Sequence, residues 1–328
     1  MSNGSVKYPP GDAQSAPALA ARYLSYLNPL TIHRKSRKAK AFFALGLVCF
    51  FWGTTWLASR KGVQYMPALE LAGIRQFIGG LFYVVYFVLR GVAFPKKKEW
   101  IPIIVLACLN FMLSNGLSTW GVKYISAGLG SIIGAIFPLW LVIIGLFSSH
   151  VPLKKNAVVG LILGFAGICV IFFEHLRDFI DPRFRLGILL SIASTWSWAF
   201  GTIYTKKHAA FFNPYFGLGL QMLISGASLF AVSHITGNFI PFALIPWQSW
   251  AAIGYLAVFG SVLSFIAYLY ALQNLATEQA SLYAYINPVV AVFFGWLLLN
   301  EPMSTYMVAG VLITLIGVYL VNRNAIRS

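Results

Sequence analysis

Residues 131–145 read SIIGAIFPLWLVIIG, and residues 281–295, 150 positions later, read SLYAYINPVVAVFFG. Each stretch is mostly apolar, opens on serine, ends on glycine and carries a proline at its eighth position. The same offset continues beyond both stretches, and an offset of 146 relates earlier positions, so the chain contains an internal repeat. The matches are Ser131 with Ser281, Pro138 with Pro288, Gly145 with Gly295, Pro152 with Pro302, Gly160 with Gly310, Gly167 with Gly317, Trp52 with Trp198 and Gly80 with Gly226.

The composition places the chain in a membrane. Of its 328 residues, 59% are hydrophobic and 10% are charged, whereas an average soluble domain has about 25% charged residues. Too little charge is present to cover a water-facing surface, which excludes a soluble enzyme, a disordered protein and a disulfide scaffold. A spanning helix needs about 20 apolar residues. The predicted spans are 41–59, 68–89, 101–120, 125–147, 157–173, 187–205, 213–233, 248–271, 279–299 and 303–321.

The repeat and the spans together predict an inverted architecture. Five predicted helices fall in residues 41–173 and five in 187–321, after a polar tail of residues 1–40. Because five is odd, the second copy must enter the membrane upside down relative to the first. Inverted repeats are typical of secondary transporters, whose substrate site lies near the midplane between the halves. We therefore expect an all-α integral membrane protein with ten transmembrane helices in two inverted five-helix repeats. A channel or scaffold is the alternative.

The net charge of +16 is concentrated in the predicted loops. With the N-terminus inside, the inside segments hold 15 Lys and Arg residues and the outside segments hold 6. Cytoplasmic loops carry such an excess, so both termini are predicted to be cytoplasmic. Short basic clusters between apolar runs do not form a nucleic-acid-binding domain. The expected partners are therefore the lipid bilayer and a small-molecule substrate, with no nucleic acid.

Only two charged residues fall inside the predicted spans, Glu70 and Arg75, both in the second. A charge inside a span usually faces protein or a water-filled cavity. Arg75 is either a cavity-lining cation that attracts a substrate carboxylate or a structural residue bonded to carbonyls. Glu70 is either a proton-coupling carboxylate or, as we favour, an interfacial residue stabilised by the helix dipole. Protons are the candidate coupling ion. The two side chains lie about 140° apart around the helix, so direct contact is not expected.

Polar and aromatic side chains recur on single helix faces. In the first span, four of them follow i, i+3, i+4, i+7 spacing, which places them on one face. Each alignment alone also fits ordinary helix–helix contacts, but as a set they suit a mostly apolar pocket with a few polar anchors. The aligned residues are Trp52, Thr55, Trp56 and Ser59; Asn110 and Ser114, with Asn115 beside them; Ser261, Ser264 and Tyr268; and Tyr283 and Asn287.

Other classes of function lack the residues they need. The five histidines lie outside the predicted spans, so a metal-dependent hydrolase within the membrane would have no ligands. The chain has no Gly-rich phosphate loop, so ATP is not an evident energy source. We therefore expect no enzyme activity, no metal and no cofactor. A scaffold would require a soluble domain, for which the predicted tail is too short.

The chain resembles the drug/metabolite transporter superfamily, specifically its EamA-type ten-helix members, over residues 41–322. The resemblance rests on FWGTTW at 51–56, IRQF at 74–77, IFPLW and INPVV in the fourth and ninth spans, and NEP at 300–302. One departure is that Val151-Pro152 stands where the second copy has Glu301-Pro302. The resemblance implies a secondary transporter that moves a small amino-acid-like or amphipathic metabolite across the plasma (bacterial inner) membrane by alternating access, with export expected. The alternative is a nucleotide-sugar or phosphate-ester exchanger, although one spanning Arg is few for such substrates.

The resemblance also implies a pocket between the halves, against the first, third, fourth, sixth, eighth and ninth helices. Combined with the helix faces, it predicts that aromatic rings contact an apolar part of the substrate, while amides and hydroxyls bind its polar head. The predicted substrate-binding residues are Trp52, Trp56, Asn110, Ser114, Trp140, Ser264, Tyr268, Tyr283 and Asn287. The identity of the substrate and the oligomeric state are left open.

Overall fold

The fold is built of helices, because in a bilayer every backbone polar group must be satisfied within the protein. The computed structural model describes residues 29–148, 155–208, 213–275 and 282–325, and these ranges contain no β-strand. They form ten helical rods, which we label in chain order. The rods are α1 (Pro29–Gly62), α2 (Ala68–Leu89), α3 (100–121), α4 (127–148), α5 (Lys155–Glu174), α6 (Pro182–His208), α7 (Pro214–Ile235), α8 (247–274), α9 (Tyr283–Leu299) and α10 (Thr305–Ala325).

Six of the described rods, α1, α2, α3, α6, α7 and α8, are long and apolar enough to cross a bilayer, and the other four have shorter apolar stretches. The 17 residues of α9 extend about 25 Å, close to the hydrocarbon thickness of about 30 Å. Helix α1 begins at Pro29, twelve residues before the predicted start at 41. The end of the predicted tail is therefore helical, and residues 1–28 lie outside the described part of the chain.

Helices α3 and α8 each contain a π-helical segment at a corresponding place, Ala107–Asn115 and Leu256–Leu263. A π-helix bonds i to i+5, and such segments are frequent at functional sites. Carbonyl groups of both segments accept hydrogen bonds from side chains of neighbouring helices, so the two segments act as attachment points within the bundle. These bonds are Ser197 Oγ to Leu109 O (2.7 Å), Gln76 Nε2 to Phe111 O (3.1 Å), Ser194 Oγ to Ser114 O (2.8 Å), Trp52 Nε1 to Gly260 O (3.1 Å) and Tyr83 Oη to Val262 O (2.8 Å).

Helix α4 is interrupted at Ile136, between the segments Ala127–Ala135 and Phe137–Ser148. The interruption precedes Pro138, whose ring removes a backbone donor and clashes with the preceding turn. The matching Pro288 lies inside α9, which remains one continuous helix. The equivalent prolines of the two repeats therefore differ in their effect: the helix is interrupted next to Pro138 and continuous through Pro288.

Two antiparallel helix pairs pack through glycines, and we call these contacts the glycine seams. In the α2–α7 seam, a Cβ added at Gly73 would lie 3.1 Å from the Gly226 carbonyl oxygen, and one at Gly80 would lie 2.7 Å from that of Gly219. In the α5–α10 seam, a Cβ at either Gly310 or Gly317 would lie 2.6 Å from a carbonyl oxygen of α5. Small residues allow backbones this close approach in membrane helices. The oxygens in the second seam belong to Gly167 and Gly160, respectively.

The contacts in both seams are reciprocal under the sequence offsets. Gly73 and Gly80 correspond to Gly219 and Gly226 at offset 146, and Gly73 contacts Gly226 while Gly80 contacts Gly219. The α5–α10 seam repeats this exchange at offset 150. Reciprocal contacts of this kind characterise interfaces related by a two-fold operation. With antiparallel partners, this is the contact pattern expected of inverted repeats.

The turns that follow α1, α3, α5, α7 and α9 lie at one end of the bundle, which we call the turn end. Hydrogen bonds between these turns and the adjoining helices place them together. The bonds join Arg60 to Val122, Glu301 to Ala127, Glu70 to Ile240 and Ser304 to Glu174.

Large apolar side chains, Phe82 and Leu89 of α2 among them, are exposed on the outer surface, where lipid tails would cover them.

Candidate binding cavity

A cavity of about 180 Å³ lies between the two halves of the bundle. Its wall is formed by α1, α2, α3 and α4 from the first half and by α6, α8 and α9 from the second. These include all six helices expected to line a pocket, and the structure adds α2. The wall combines aromatic rings with small residues and with polar side chains, most of them hydroxyls, so it can contact both apolar and polar parts of a small molecule.

Helix α1 presents its polar-aromatic face to the cavity. Trp52, Thr55, Trp56 and Ser59, which the helical spacing placed on one side, all line the wall. The indole N–H of Trp52 donates to the Gly260 carbonyl across the cavity, so this ring is fixed by a hydrogen bond between the halves. The ring of Trp56 packs against α4, where Gly130 and Gly134 leave room for it.

Seven of the wall residues are aromatic, and several of their rings contact one another. Trp52 makes edge contacts with Phe265 and Tyr283, each at a centroid distance of 5.1 Å, and Tyr283 stacks on Phe137 at 6.5 Å. Rings in these arrangements give large apolar contact area with few rotatable bonds. The aromatic wall residues are Trp52, Trp56, Phe111, Phe137, Trp198, Phe265 and Tyr283.

Two consecutive residues of α2, Arg75 and Gln76, supply the strongest polar groups of the wall. Arg75 is 6% exposed; its Nη2 donates to Asn115 Oδ1 at 2.7 Å, and its Nε is buried with no partner. Gln76 donates through Nε2 to the Phe111 carbonyl, while its Oε1 is buried and unpaired. Asn115 in turn donates through Nδ2 to the Asn110 carbonyl at 2.9 Å. One donor and one acceptor of this pair are therefore unsatisfied among the described residues.

Hydroxyl groups form the rest of the polar surface, and several of them are already committed as donors. Thr55 donates to the Trp52 carbonyl at 2.6 Å, Ser131 to Gly128 at 2.7 Å, and Thr195 to Ser191 at 2.8 Å. A hydroxyl whose proton is used in this way presents only lone pairs to its other side. These groups therefore offer the cavity acceptors for a donor such as an ammonium or hydroxyl group.

Of the nine predicted substrate-binding residues, the structure brings five to the wall, together with Arg75. The five are Trp52, Trp56, Ser114, Tyr283 and Asn287. Four further residues that the helical spacing aligned also lie there: Thr55, Ser59, Asn115 and Ser261. Sequence reasoning did not single out Gln76, Ser194 or Thr195. The signal for the last two was available, because Ser194, Thr195 and Trp198 share one face of α6 at i, i+1 and i+4.

Four predicted substrate-binding residues lie outside the wall, and the structure gives a reason for each. Asn110 belongs to the π-segment, in which residues four apart no longer align, and its side chain packs against Gly201. Trp140 lies beyond the Ile136 interruption, where it contacts Trp196 at 5.1 Å and Phe165 at 6.2 Å.

The remaining two, Ser264 and Tyr268, sit behind the wall. Ser264 is fully buried and donates to the Phe259 carbonyl at 2.5 Å. Tyr268 backs the wall through ring contacts with Trp52 at 5.1 Å and Tyr283 at 5.5 Å. Tyr268 therefore supports the wall without forming it, whereas the bond of Ser264 lies within α8 itself.

Glu70 is fully buried in the first turn of α2 and also lies outside the cavity. Its Oε2 accepts from the Ile240 N–H at 3.0 Å, so it ties α2 to the loop between α7 and α8. No ion pair joins it to Arg75 among the described residues. In the described ranges, no group of three His, Cys, Asp or Glu side chains is placed to hold a metal ion.

Comparisons with known proteins place the chain in a family. The profile of the EamA-like transporter family matches residues 39–173 and again 185–323. The uncharacterized transporter YvbV of Bacillus subtilis is 30% identical over 293 residues, which cover 87% of this chain and 92% of the relative. The uncharacterized inner membrane transporter YedA of Escherichia coli K12 is 31% identical over 266 residues, covering 80% and 83%. A crystal structure 18% identical to this chain superposes with a TM-score of 0.60 over 88% of this chain and 97% of its own, which shows a shared fold.

Proposed function

The chain belongs to the EamA-like transporter family, and from that premise we propose that it is a secondary transporter exporting a small amphipathic metabolite by alternating access. It is a multi-pass membrane protein, and the names of its relatives indicate transporters rather than enzymes. The observation that carries the proposal is the cavity, whose wall draws on helices from both family-matched segments. A site between two halves can be exposed first to one side and then to the other.

The proposed architecture is a pair of inverted repeats, residues 41–173 and 187–321, with ten membrane crossings. The reciprocal glycine seams support it, because each seam joins a helix to its own antiparallel counterpart. The paired π-segments in α3 and α8 support it as well. The family profile matches residues 39–173 and 185–323 separately, which supports the proposed division into two repeats.

The proposed location is the plasma (bacterial inner) membrane, with both termini cytoplasmic. YedA, one of the relatives, is named as an inner membrane protein. The Lys and Arg excess in alternate loops supports the orientation. In that orientation the turn end faces outward.

The proposed substrate is amino-acid-like or amphipathic, and the wall supports this in two ways. Its rings suit an apolar side chain, and its polar groups combine a cationic donor with hydroxyl acceptors. The predicted wall residues retained in this proposal are Trp52, Trp56, Ser114, Tyr283 and Asn287, with Arg75. Asn110, Trp140, Ser264 and Tyr268 are proposed only as supporting residues.

The test is transport by purified protein in sealed vesicles. Vesicles would be loaded with a panel of radiolabelled amino acids, and efflux would be measured with and without an imposed pH gradient. We expect saturable efflux of a subset of the panel above that of protein-free vesicles. Acceleration by the gradient would identify protons as the coupling ion. Flux equal to protein-free vesicles for the whole panel, or a non-saturable leak of all solutes, would contradict the proposal.

A further inference from the structure

The cavity holds one formal charge, and the described structure supplies no opposite charge for it. Arg75 is the only ionisable side chain among the described wall residues apart from the phenol of Tyr283. The described carboxylates are engaged elsewhere: Glu70 bonds the Ile240 N–H, and Glu301 bonds backbone N–H groups at the start of α4. Among the described residues, the guanidinium therefore has the neutral oxygen of Asn115 as its one side-chain partner.

A buried cation without a counter-charge is unfavourable, so its persistence calls for an explanation. The side chain is 6% exposed, and its Nε donor is buried and unsatisfied. A structural arginine would be expected to have its donors satisfied by carbonyls or a carboxylate. Here Arg75 lines the cavity, and one of its donors has no partner among the described residues.

Asn115 determines how the guanidinium is presented. Its Nδ2 donates to the Asn110 carbonyl at 2.9 Å, an acceptor five residues earlier in the π-segment. With the amide nitrogen committed there, Oδ1 must face Arg75, and it accepts from Nη2 at 2.7 Å. Asparagine holds the cation in place without neutralising it, which aspartate at the same position would do.

We infer that the substrate carries a single negative charge, such as one carboxylate, that pairs with Arg75, and that Asn115 is the positioning residue for this contact. The inference rests on the proposed transport function and names the substrate class of the same cavity. One cation matches one carboxylate, whereas a phosphate ester would bring more negative charge than the described wall can balance. The aromatic rings then contact the remainder of the molecule.

The first experiment requires no substrate. Asn115→Asp places a carboxylate at the missing counter-ion position with almost no change of shape. The change also replaces the Nδ2 bond to the Asn110 carbonyl by a contact between two oxygens, so the gain from the ion pair must be measured against a variant that loses the same kind of bond.

Asn287→Asp is the matched control, because it makes the same change in the same wall, where the amide nitrogen donates to the carbonyls of Tyr283 and Cys49. It should melt lower than the wild type in detergent. We expect Asn115→Asp, which gains the ion pair with Arg75, to melt several degrees above Asn287→Asp. Equal melting temperatures for the two variants, or a lower one for Asn115→Asp, would overturn the inference, because the added charge would then give Arg75 no stabilisation.

The second experiment uses matched ligands. Binding of L-phenylalanine, L-leucine and their amides to the protein in vesicles would be followed by quenching of the cavity tryptophans. We expect the wild type to bind at least one acid ten-fold or more tightly than its amide, and Asn115→Asp to lose that preference. Equal binding of acid and amide by the wild type would overturn the inference while leaving transport intact. If the protein transports no member of the panel saturably, that result counts against the proposed function. The charge inference is tested separately, by the melting experiment.

Discussion

Arg60 and Glu301 hold the same interhelical turn from opposite sides. Arg60 Nη1 donates to the carbonyls of Val122 and Lys123, at 2.8 and 2.7 Å, at the end of α3. Glu301 accepts from the N–H groups of Ala127 and Gly128, at 2.7 and 3.1 Å, at the start of α4. A cation at a helix C-terminus and an anion at an N-terminus both complement the helix dipole. The α3–α4 turn is therefore fixed from the α1–α2 and α9–α10 turns.

Replacing Glu301 with glutamine should destabilise the turn end. The amide oxygen can accept a hydrogen bond from one of the two N–H groups, but the amide NH2 then faces the other N–H. We therefore expect the free energy of unfolding to fall by roughly 1–3 kcal/mol. Melting in detergent measures the effect. Glu99→Gln is the control, because Glu99 accepts only the Lys96 N–H at the opposite end of the bundle. Equal melting temperatures for the two variants would show that the Glu301 contacts contribute nothing specific.

The α2–α7 glycine seam should not tolerate a methyl group. A Cβ at Gly226 would lie 2.5 Å from the Phe77 nitrogen and 2.9 Å from the Gly73 carbonyl oxygen, so the helices must separate. We expect Gly226→Ala to lower the free energy of unfolding by roughly 1–3 kcal/mol, which is typical of overpacking. Gly46→Ala, in α1, meets nothing within 4 Å and should be neutral or slightly stabilising, because alanine favours helix. If both variants melt alike, the seam is not tightly packed.

Removing the Trp52 side chain should abolish most transport. The ring contacts Phe265 and Tyr283, and its N–H bonds the Gly260 carbonyl. We expect Trp52→Ala to lower efflux ten-fold or more, which corresponds to about 1.4 kcal/mol in the transport step. Trp140→Ala, outside the wall, should keep efflux within two- to three-fold when normalised to folded protein. A larger loss of efflux in Trp140→Ala than in Trp52→Ala would place the substrate between α4 and α5 instead of in the cavity.

The turn end should be accessible from outside the cell. A cysteine at the exposed position Asn238, between α7 and α8, would be introduced with the three native cysteines replaced by alanine. We expect an impermeant maleimide added to intact cells to label it. A cysteine at Lys98, at the opposite end, should label only after the cells are opened. Labelling of Lys98 but not Asn238 in intact cells would invert the proposed orientation.

The sequence predicts much of the fold because repetition and apolar length are visible in it. All four residues of the α1 face line the cavity, since an undistorted helix keeps the spacing from Trp52 to Ser59. The prediction fails where the helix period changes. The π-segment in α3 carries Asn110 away from the wall but leaves Ser114 and Asn115 on it. The sequence contains no pattern that marks where an α-helix changes to a π-helix, with hydrogen bonds from residue i to residue i+5.

The partner of Arg75 also lay beyond sequence reasoning. Spacing correctly separated it from Glu70, but Asn115 lies 40 residues further along the chain. Its role depends on how α2 packs against α3 and on the carbonyl that the π-segment offers to its amide. Such a contact follows from tertiary packing and not from local pattern.

The glycine seams imply self-complementarity in each half of the chain. Because Gly73 meets the counterpart of Gly80, and Gly160 meets the counterpart of Gly167, each half already carries both surfaces that its partner requires. Two copies of one half, inserted in opposite directions, could form both seams in the absence of the other half. A protein of half this length could therefore have assembled as an antiparallel homodimer, and joining two such copies in one chain would preserve every seam contact.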